Sequence, residues 1–137
     1  MTLDEYRIRH SKLIELYQLI EYDLEDLYAI LSEEPFCQVI REIEKDSIGG
    51  VVRQIRKLEE QKNIKVFSES QCRELDVTRE RRNFWCHACY TDHCDSAGVP
   101  DNARLLTAEL DTAKATLQWL RQIKRAHMDA DRKPRCQ

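Results

Sequence analysis

Three residues in the second half of the chain, Arg82, Asn83 and His87, carry the side chains that cleavage of a phosphodiester requires. Cleavage of RNA through its own 2′-hydroxyl needs a base for that hydroxyl, an acid for the leaving 5′-oxygen and a cation for the phosphorane charge. A histidine side chain ordinarily titrates near neutrality and can act as the base or the acid. We therefore take Arg82, Asn83 and His87 as candidate catalytic residues.

The segment around these residues has the pattern of a helix, and the helix determines how they can meet. Asn83 and His87 are four positions apart, so their side chains fall on one line along the helix surface. Arg82 and His87 are five positions apart, which separates them by about 140° on an ideal helix. Because an arginine side chain is long, we expect it to bend toward the other two.

The segment 82–87 reads as Arg-Asn, an apolar patch and then His, and it resembles the signature of the HEPN superfamily (higher eukaryotes and prokaryotes nucleotide-binding domains). The resemblance implies an HEPN-like helical bundle with the motif on the penultimate long helix. It also implies a metal-independent endoribonuclease without a cofactor, in a toxin–antitoxin or phage-defence system with an antitoxin as a partner. Some members carry a tyrosine two residues after the histidine, which the partner modifies with AMP. Here that position is Cys89, and the tyrosine follows as Tyr90.

The chemistry itself favours a dimer. One histidine can hardly act as base and acid in a single turnover, whereas two can, and His87 is the one well-placed histidine in the motif. The resemblance likewise implies a homodimer formed through the motif helices. Arg79 and Arg82 of the two chains would then face each other and repel when the cleft is empty. Apolar contacts elsewhere must therefore hold the interface.

The charge distribution bears on how RNA would be bound. The net charge is −3, so the surface as a whole lacks the excess of positive charge that is typical of nucleic-acid-binding proteins. Positive charge is instead local, in two groups: Arg73, Arg79, Arg81 and Arg82, and then Arg121, Lys124 and Arg125. An enzyme that binds only a few phosphates needs only a local patch of positive charge of this kind. We assign RNA or phosphate binding to Arg79, Arg81 and Tyr90.

A cysteine-rich stretch offers a competing metal site. Cys86, Cys89 and His93 would lie within about 60° of one another if the helix continued through them, and Cys94 or Cys72 could complete a zinc site. Structural zinc sites usually draw ligands from two separated pairs, and this chain lacks a second pair. We therefore expect no metal. The six cysteines of a chain without a secretory signal are expected to be reduced thiols.

Apolar periodicity predicts the elements that position these residues, and together they make an all-α, four- to five-helix up-and-down bundle. A capping box at Thr2 and Glu5 starts the first helix, whose apolar stripe is interrupted by His10, expected to be a satisfied core histidine. Ser68 or Ser70 caps the motif helix. The predicted helices span residues 3–32, about 36–44, 48–63, the motif helix, and about 102–127 after a loop at 95–102. We assign residues 1–128 to one domain and 129–137 to a charged, flexible tail.

Two further expectations concern packing. The acidic run of the first helix, at Glu21, Asp23, Glu25 and Asp26, is expected to be a solvated face. Trp85, inside the motif, is expected to pack in the core.

The remaining features exclude several function classes. The sequence contains no Gly-rich phosphate loop, no His-Glu-x-x-His and no nucleophile elbow, which argues against a nucleotide hydrolase or a protease. It has no apolar run near the ~20 residues of a membrane span, so we expect a soluble, cytoplasmic protein without a membrane partner. Two alternatives to the ribonuclease stay open. One is a non-catalytic helical module that binds a nucleotide, RNA or a protein, and the other is a metal- or redox-responsive regulator.

Overall fold

The fold is all-α, as the sequence predicts. The computed structural model describes residues 1–32, 34–43 and 47–130, except for the side chains of residues 36, 40–42 and 130. The described helices are α1 (Leu3–Leu31), α2 (Phe36–Ile43), α3 (Ile48–Lys62), α4 (Glu69–His87) and α5 (Ala103–Ala130), and a 3-10 turn follows α4 at Cys89–Thr91. Within these residues the extended backbone forms one isolated bridge, between Cys94 and Pro100. None of the described helices has the length and apolar character that crossing a membrane requires.

Local capping explains where the helices begin. The Thr2 hydroxyl accepts a hydrogen bond from the Glu5 amide at 3.1 Å, and the Glu5 carboxylate accepts one from the Thr2 amide at 2.8 Å, which confirms the predicted capping box. Ser68, not Ser70, caps α4, in a second capping box with Gln71. At the other end of α3, Asn63 takes the left-handed conformation with φ 52°, a common way for a helix to stop.

The core lies along α1, which packs most extensively on α5 and also contacts α2, α3 and α4. Its apolar stripe is buried over the whole length, at Tyr6, Leu13, Tyr17, Ile20, Leu24, Leu27 and Leu31. From α5, Leu106, Leu110, Leu117 and Leu120 pack against this stripe. The 3.6-residue periodicity of both helices therefore accounts for the main interface of the bundle.

The acidic run of α1 is not a solvated face. Asp23 and Asp26 are 2% and 3% exposed. Lys124 of α5 donates to Asp23 at 2.8 Å and forms an ion pair with Asp26 at 3.1 Å, while Arg121 donates to Asp23 at 3.0 Å. The prediction fails for these aspartates because the packing of α5 on α1 brings cations from distant sequence positions over them. These ion pairs involve Arg121 and Lys124, two of the three cations in the second group of positive charges in the sequence.

The ends of the last two helices also differ from expectation. α5 extends to Ala130, beyond the predicted end at residue 127. The rest of the predicted tail, residues 131–137, lies outside the described residues. α4 ends at His87 and does not continue through Cys89 and His93, which matters for the candidate metal site.

Candidate functional site

Helix α4 presents one face to the core and the opposite face to solvent. Leu75, Thr78 and Trp85 are buried along the inner face, and the burial of Trp85 confirms its predicted core position. Asn83 and His87 are exposed. In the part of the chain that the structure describes, neither of these two side chains has a hydrogen bond or an ion pair. They therefore form an open amide–imidazole pair at the C-terminal end of α4.

Arg82 is directed away from that pair. Its Nε forms an ion pair with the carboxylate of Glu21 on α1, in a partly buried setting where the two side chains are 32% and 25% exposed. The expectation that the arginine bends toward Asn83 and His87 is therefore not met in this single-chain structure. Because Arg82 lies on the stripe next to α1, the nearest carboxylate of α1 holds it.

The two arginines assigned to phosphate binding differ in how strongly they are held. Arg79 pairs with Asp76 on its own helix at 3.1 Å, and both side chains are well exposed. Such surface pairs contribute little to stability and are easily exchanged. Arg81 lies between Glu74 at 3.3 Å and Glu109 of α5 at 3.5 Å. It therefore links α4 to α5, whereas Arg79 can be released to a ligand.

Beneath Arg81 a buried pair joins α1 to α5. The Tyr17 hydroxyl donates to a carboxylate oxygen of Glu109 at 2.7 Å. Burial raises the pKa of Glu109, although the hydrogen bond from Tyr17 and the charge of Arg81 oppose the rise. Burial, and then the neighbouring Glu109, also raise the pKa of Tyr17. Both side chains are buried, so the hydrogen bond links α1 to α5 within the bundle.

Tyr90 lies in an aromatic group beside the end of α4. Its side chain is 47% exposed, and its ring stands edge-on to Tyr6 at 5.4 Å and to His10 at 5.0 Å. Burial is the main factor that raises its pKa, so the phenol is neutral at physiological pH and can donate to a phosphate oxygen. The chemistry of the Tyr90 side chain is therefore compatible with the predicted phosphate binding.

His10 is satisfied as predicted, but its partner places it next to the motif. Its Nε2 lies 2.6 Å from the backbone carbonyl of Trp85 and donates to it. The same carbonyl accepts from the Cys89 thiol at 3.3 Å. α4 ends two residues later, at His87, with Ala88 as its C-cap, so this carbonyl has no amide of a following helical turn to bind. Sequence reasoning missed this role because residues 10 and 85 are far apart in the chain, and no local pattern marks the contact.

Asn102 fixes the turn that follows the motif. Its Oδ1 accepts from the Tyr6 hydroxyl at 2.6 Å, and its Nδ2 donates to the Cys89 carbonyl at 2.9 Å and to Asp92 at 3.3 Å. The side chain is buried at the entrance to α5. These bonds join α1, the 3-10 turn and α5 at one point, so the C-terminal end of α4 is held in a defined position.

The cysteines within the described residues do not assemble a metal site. Because α4 ends at His87, Cys86, Cys89 and His93 do not share a helical face, and the expected alignment is wrong. Among the described residues no group of three or more His, Cys, Asp or Glu side chains could hold a metal ion. Cys72, Cys86, Cys89 and Cys94 are free thiols, and burial raises the pKa of the first three. Cys37 is disulfide-bonded, which corrects the expectation that every cysteine is reduced.

An apolar surface borders the motif on the side of α5. Phe84 is 37% and Leu105 58% exposed, and both line a groove of about 480 Å³ between α4 and α5. Ala108 and Thr112 extend the lining along α5. Exposed apolar side chains grouped in this way are typical of surfaces that bind other proteins.

Comparison of the chain with models of protein families, with curated proteins and with solved structures found no match in any of the three.

Proposed function

We propose that this protein is a metal-independent endoribonuclease of the HEPN type that acts as a homodimer. The observation that carries the proposal is the open pair of Asn83 and His87 on the exposed face of α4, with Arg82 one residue before it. An imidazole without a protein partner is free to exchange protons with a substrate. The amide of Asn83, on the same line of the helix, can orient a phosphate oxygen beside it.

The proposed reaction uses two histidines. His87 of one chain takes the proton from the 2′-hydroxyl, whose oxygen forms a bond to phosphorus. The bond between phosphorus and the 5′-oxygen breaks, and the partner subunit's His87 donates a proton to that oxygen. The products are a 2′,3′-cyclic phosphate and a 5′-hydroxyl. A cationic guanidinium at the phosphorane stabilises the transition state, a role we assign to Arg82.

The Arg82 role requires an exchange of partners. In the free chain Glu21 holds the guanidinium. A phosphodiester carries the same single negative charge as a carboxylate, but the phosphorane formed in the transition state carries one more, and arginine binds phosphate oxygens in a bidentate manner. Substrate can therefore compete with Glu21 for Arg82, and binding would assemble the site.

The exposed apolar surface at Phe84 and Leu105 supports the dimer. It lies beside the motif on the same part of α4 and supplies the contacts that two mutually repelling sets of arginines would need. The resemblance of the motif to HEPN proteins leads to the same arrangement of the motif helices.

Cleavage of bulk RNA in excess EDTA tests the proposal. Wild type should leave 2′,3′-cyclic phosphate and 5′-hydroxyl ends, and His87→Ala should lose a factor of about 10²–10⁴ in rate. His127→Ala is the matched control, because this histidine lies in the last turn of α5, and it should cleave as wild type does. Full activity of His87→Ala, or a requirement for added Mg²⁺, would refute the mechanism.

A second candidate is a non-catalytic helical module that binds RNA. It is favoured by one observation: in the free chain Arg82 is held by Glu21, and Arg81 by Glu74 and Glu109. If those pairs persist in the complex, no cation reaches the scissile phosphate. RNA that is bound but stays intact over many hours would select this candidate.

A further inference from the structure

A groove between α3 and α4 is rich in arginine, and of its charged lining residues only Arg79 and Asp76 take part in the contacts described above. It has a volume of about 340 Å³. Its charged lining residues are Arg53, Arg56, Arg73 and Arg79, with Glu69 and Asp76 as the acidic members. We refer to it as the arginine groove. Positive charge is in excess there although the protein as a whole carries a net negative charge.

The packing of α3 against α4 brings these arginines together. Gly49, in the first turn of α3, has no side chain, and the stem of Arg79 passes over it. A Cβ at this position would come within 2.9 Å of Arg79 Cδ. The contact places the Arg79 side chain over the start of α3, at the end of the groove nearest the motif.

Most of these charges have no partner among the described residues. Arg53, Arg56 and Arg73 are exposed, and no carboxylate among the described residues pairs with them. Arg79 has only its exposed pair with Asp76. Grouped guanidinium ions repel one another, so an anion that bridges them relieves an unfavourable interaction as well as forming new ones.

The lining indicates which kind of anion fits. Arginine binds phosphate with two parallel hydrogen bonds, and four arginines along a groove suit a row of phosphates better than a single one. Val52, Cys72 and Leu75 form the apolar part of the lining, and no aromatic side chain belongs to it. Recognition of bases by stacking therefore has no platform there.

The arginine groove also points at the motif. On an ideal helix Asp76 and Asn83, seven residues apart, lie within about 20° of each other, and His87 follows one turn later on the same face. Arg79 and His87 are separated by about 12 Å along the helix axis at the usual rise per residue. A strand bound in the groove would thus continue along the exposed face of α4 to the open Asn83–His87 pair.

From this geometry we propose that the arginine groove binds the phosphodiester backbone of single-stranded RNA, without base specificity, and directs it toward His87. The direction toward His87 rests on the proposed ribonuclease function, whereas the binding itself does not. The groove thereby adds a substrate-binding track, on α3 as well as α4, to the residues assigned from the motif.

Binding of a probe that cannot be cleaved tests the groove separately from catalysis. The probe is a fluorescein-labelled 2′-O-methyl uridine 12-mer, followed by fluorescence anisotropy. Arg53→Ala/Arg56→Ala should bind at least about ten-fold more weakly than wild type. It should also lower the slope of log K against log salt by about 1.4, because each phosphate contact of a single strand contributes about 0.7.

The matched control is Lys114→Ala/Arg125→Ala, which removes the same charge from exposed positions of α5. It should retain nearly all of the wild-type affinity. Equal losses in both double variants, or no loss in the groove variant, would overturn the proposal. Arg73→Ala, on the α4 side of the groove, provides an independent test if the α3 variant folds poorly in a circular dichroism melt.

Further experiments test which ligand the groove binds and whether its role is separate from catalysis. A phosphoserine peptide of matched charge should not displace the probe, and displacement at equal concentration would overturn RNA as the ligand. An adenosine 12-mer should bind about as well as the uridine 12-mer, because the lining offers no stacking platform.

If the protein binds RNA through the groove but never cleaves it, the proposed ribonuclease function is refuted and the proposed role of the groove stands. If cleavage depends on His87 but not on the groove arginines, the proposed role of the groove is refuted and the ribonuclease function stands.

Discussion

Arg82 and Glu21 form the residue-level contact on which the proposed activity depends. The motif provides an imidazole and an amide that are open, but its cation is bound to a carboxylate of α1. Glu21 holds that cation in place in the free protein, and the proposed mechanism requires that RNA displace it. The strength of the partly exposed Arg82–Glu21 ion pair therefore contributes to the free energy needed to assemble the proposed site.

Removal of the Glu21 charge should make the site easier to assemble. Glu21→Gln is expected to bind RNA and cleave it up to about five-fold better than wild type, since an ion pair that retains contact with solvent is worth roughly 0–1 kcal/mol. Arg82→Ala should be nearly inactive. The rates can be measured with a fluorogenic RNA substrate in EDTA.

Glu15→Gln serves as the control for the charge change, because Glu15 is an exposed glutamate of the same helix. It alters the net charge identically and leaves Arg82 paired. A gain of the same size in both variants would show that general electrostatics, and not the release of Arg82, is responsible.

At the scale of the elements, buried ion pairs complete the packing of α1 against α5. Asp23 and Asp26 are almost fully buried, and Lys124 reaches both of them. A buried ion pair adds little compared with apolar packing, but loss of one partner leaves a charge unpaired inside the protein. The ends of these helices therefore depend strongly on Lys124.

Replacement of that lysine should destabilise the fold. We expect Lys124→Met to lower the free energy of unfolding by about 3 kcal/mol, the lower end for a broken buried pair, because Arg121 still compensates Asp23. Arg125→Met, at the next and exposed position, should change it little. Urea denaturation followed by circular dichroism measures both, and equal stability of the two variants would contradict the prediction.

The same pair predicts a dependence on pH. Burial alone would lower the pKa of Lys124, but its hydrogen bonds with Asp23 and Asp26 outweigh burial and raise the pKa above the ordinary value of 10.5. The folded state then holds this proton more tightly than the unfolded state. The stabilisation is fully present below pH 10.5 and is lost as the pH rises through the folded pKa. The difference between wild type and Lys124→Met should shrink accordingly in alkaline denaturation curves.

At the scale of the whole molecule, the proposed activity requires two chains. A single chain presents one open histidine at the motif, beside an apolar surface formed by Phe84 and Leu105. Two such surfaces in contact would bring the two α4 helices together and remove apolar area from water. Association and cleavage should then be lost together when this surface is altered.

A polar substitution on that surface tests the link. Phe84→Ser/Leu105→Ser should sediment as a monomer at micromolar concentration and lose at least about 10²-fold in cleavage rate, the effect of a missing acid or base. Ile8→Ser is the control, since Ile8 on α1 is as exposed as Leu105, and it should remain dimeric and active. A wild-type protein that is monomeric and fully active would refute the shared site.

Mixed dimers test whether the two histidines act together. When His87→Ala is mixed with wild type and allowed to exchange, heterodimers hold one histidine and should be inactive or nearly so. Activity should then fall below simple dilution, toward the square of the wild-type fraction. A linear decline would show that each chain carries a self-sufficient site.

Local patterns in the sequence were sufficient for the helices. Thr2 marks one helix start, and Ser68 was one of two candidates for another, because a cap involves residues only three positions apart. The buried stripe of α1 follows from a period that repeats every turn. The types and spacing of Asn83 and His87 were likewise sufficient to place both on one line of α4, because the helix alone determines that relation.

Only the tertiary structure decided which partners the charged residues have. Glu21 meets Arg82, Asp23 meets Lys124, and His10 meets the carbonyl of Trp85, each across a long separation in sequence. The arginine groove arises in the same way, from two helices that pack side by side. Such contacts depend on how whole helices dock and not on the pattern within any one of them. For that reason the sequence could nominate the motif arginine but could not predict that a glutamate of α1 holds it.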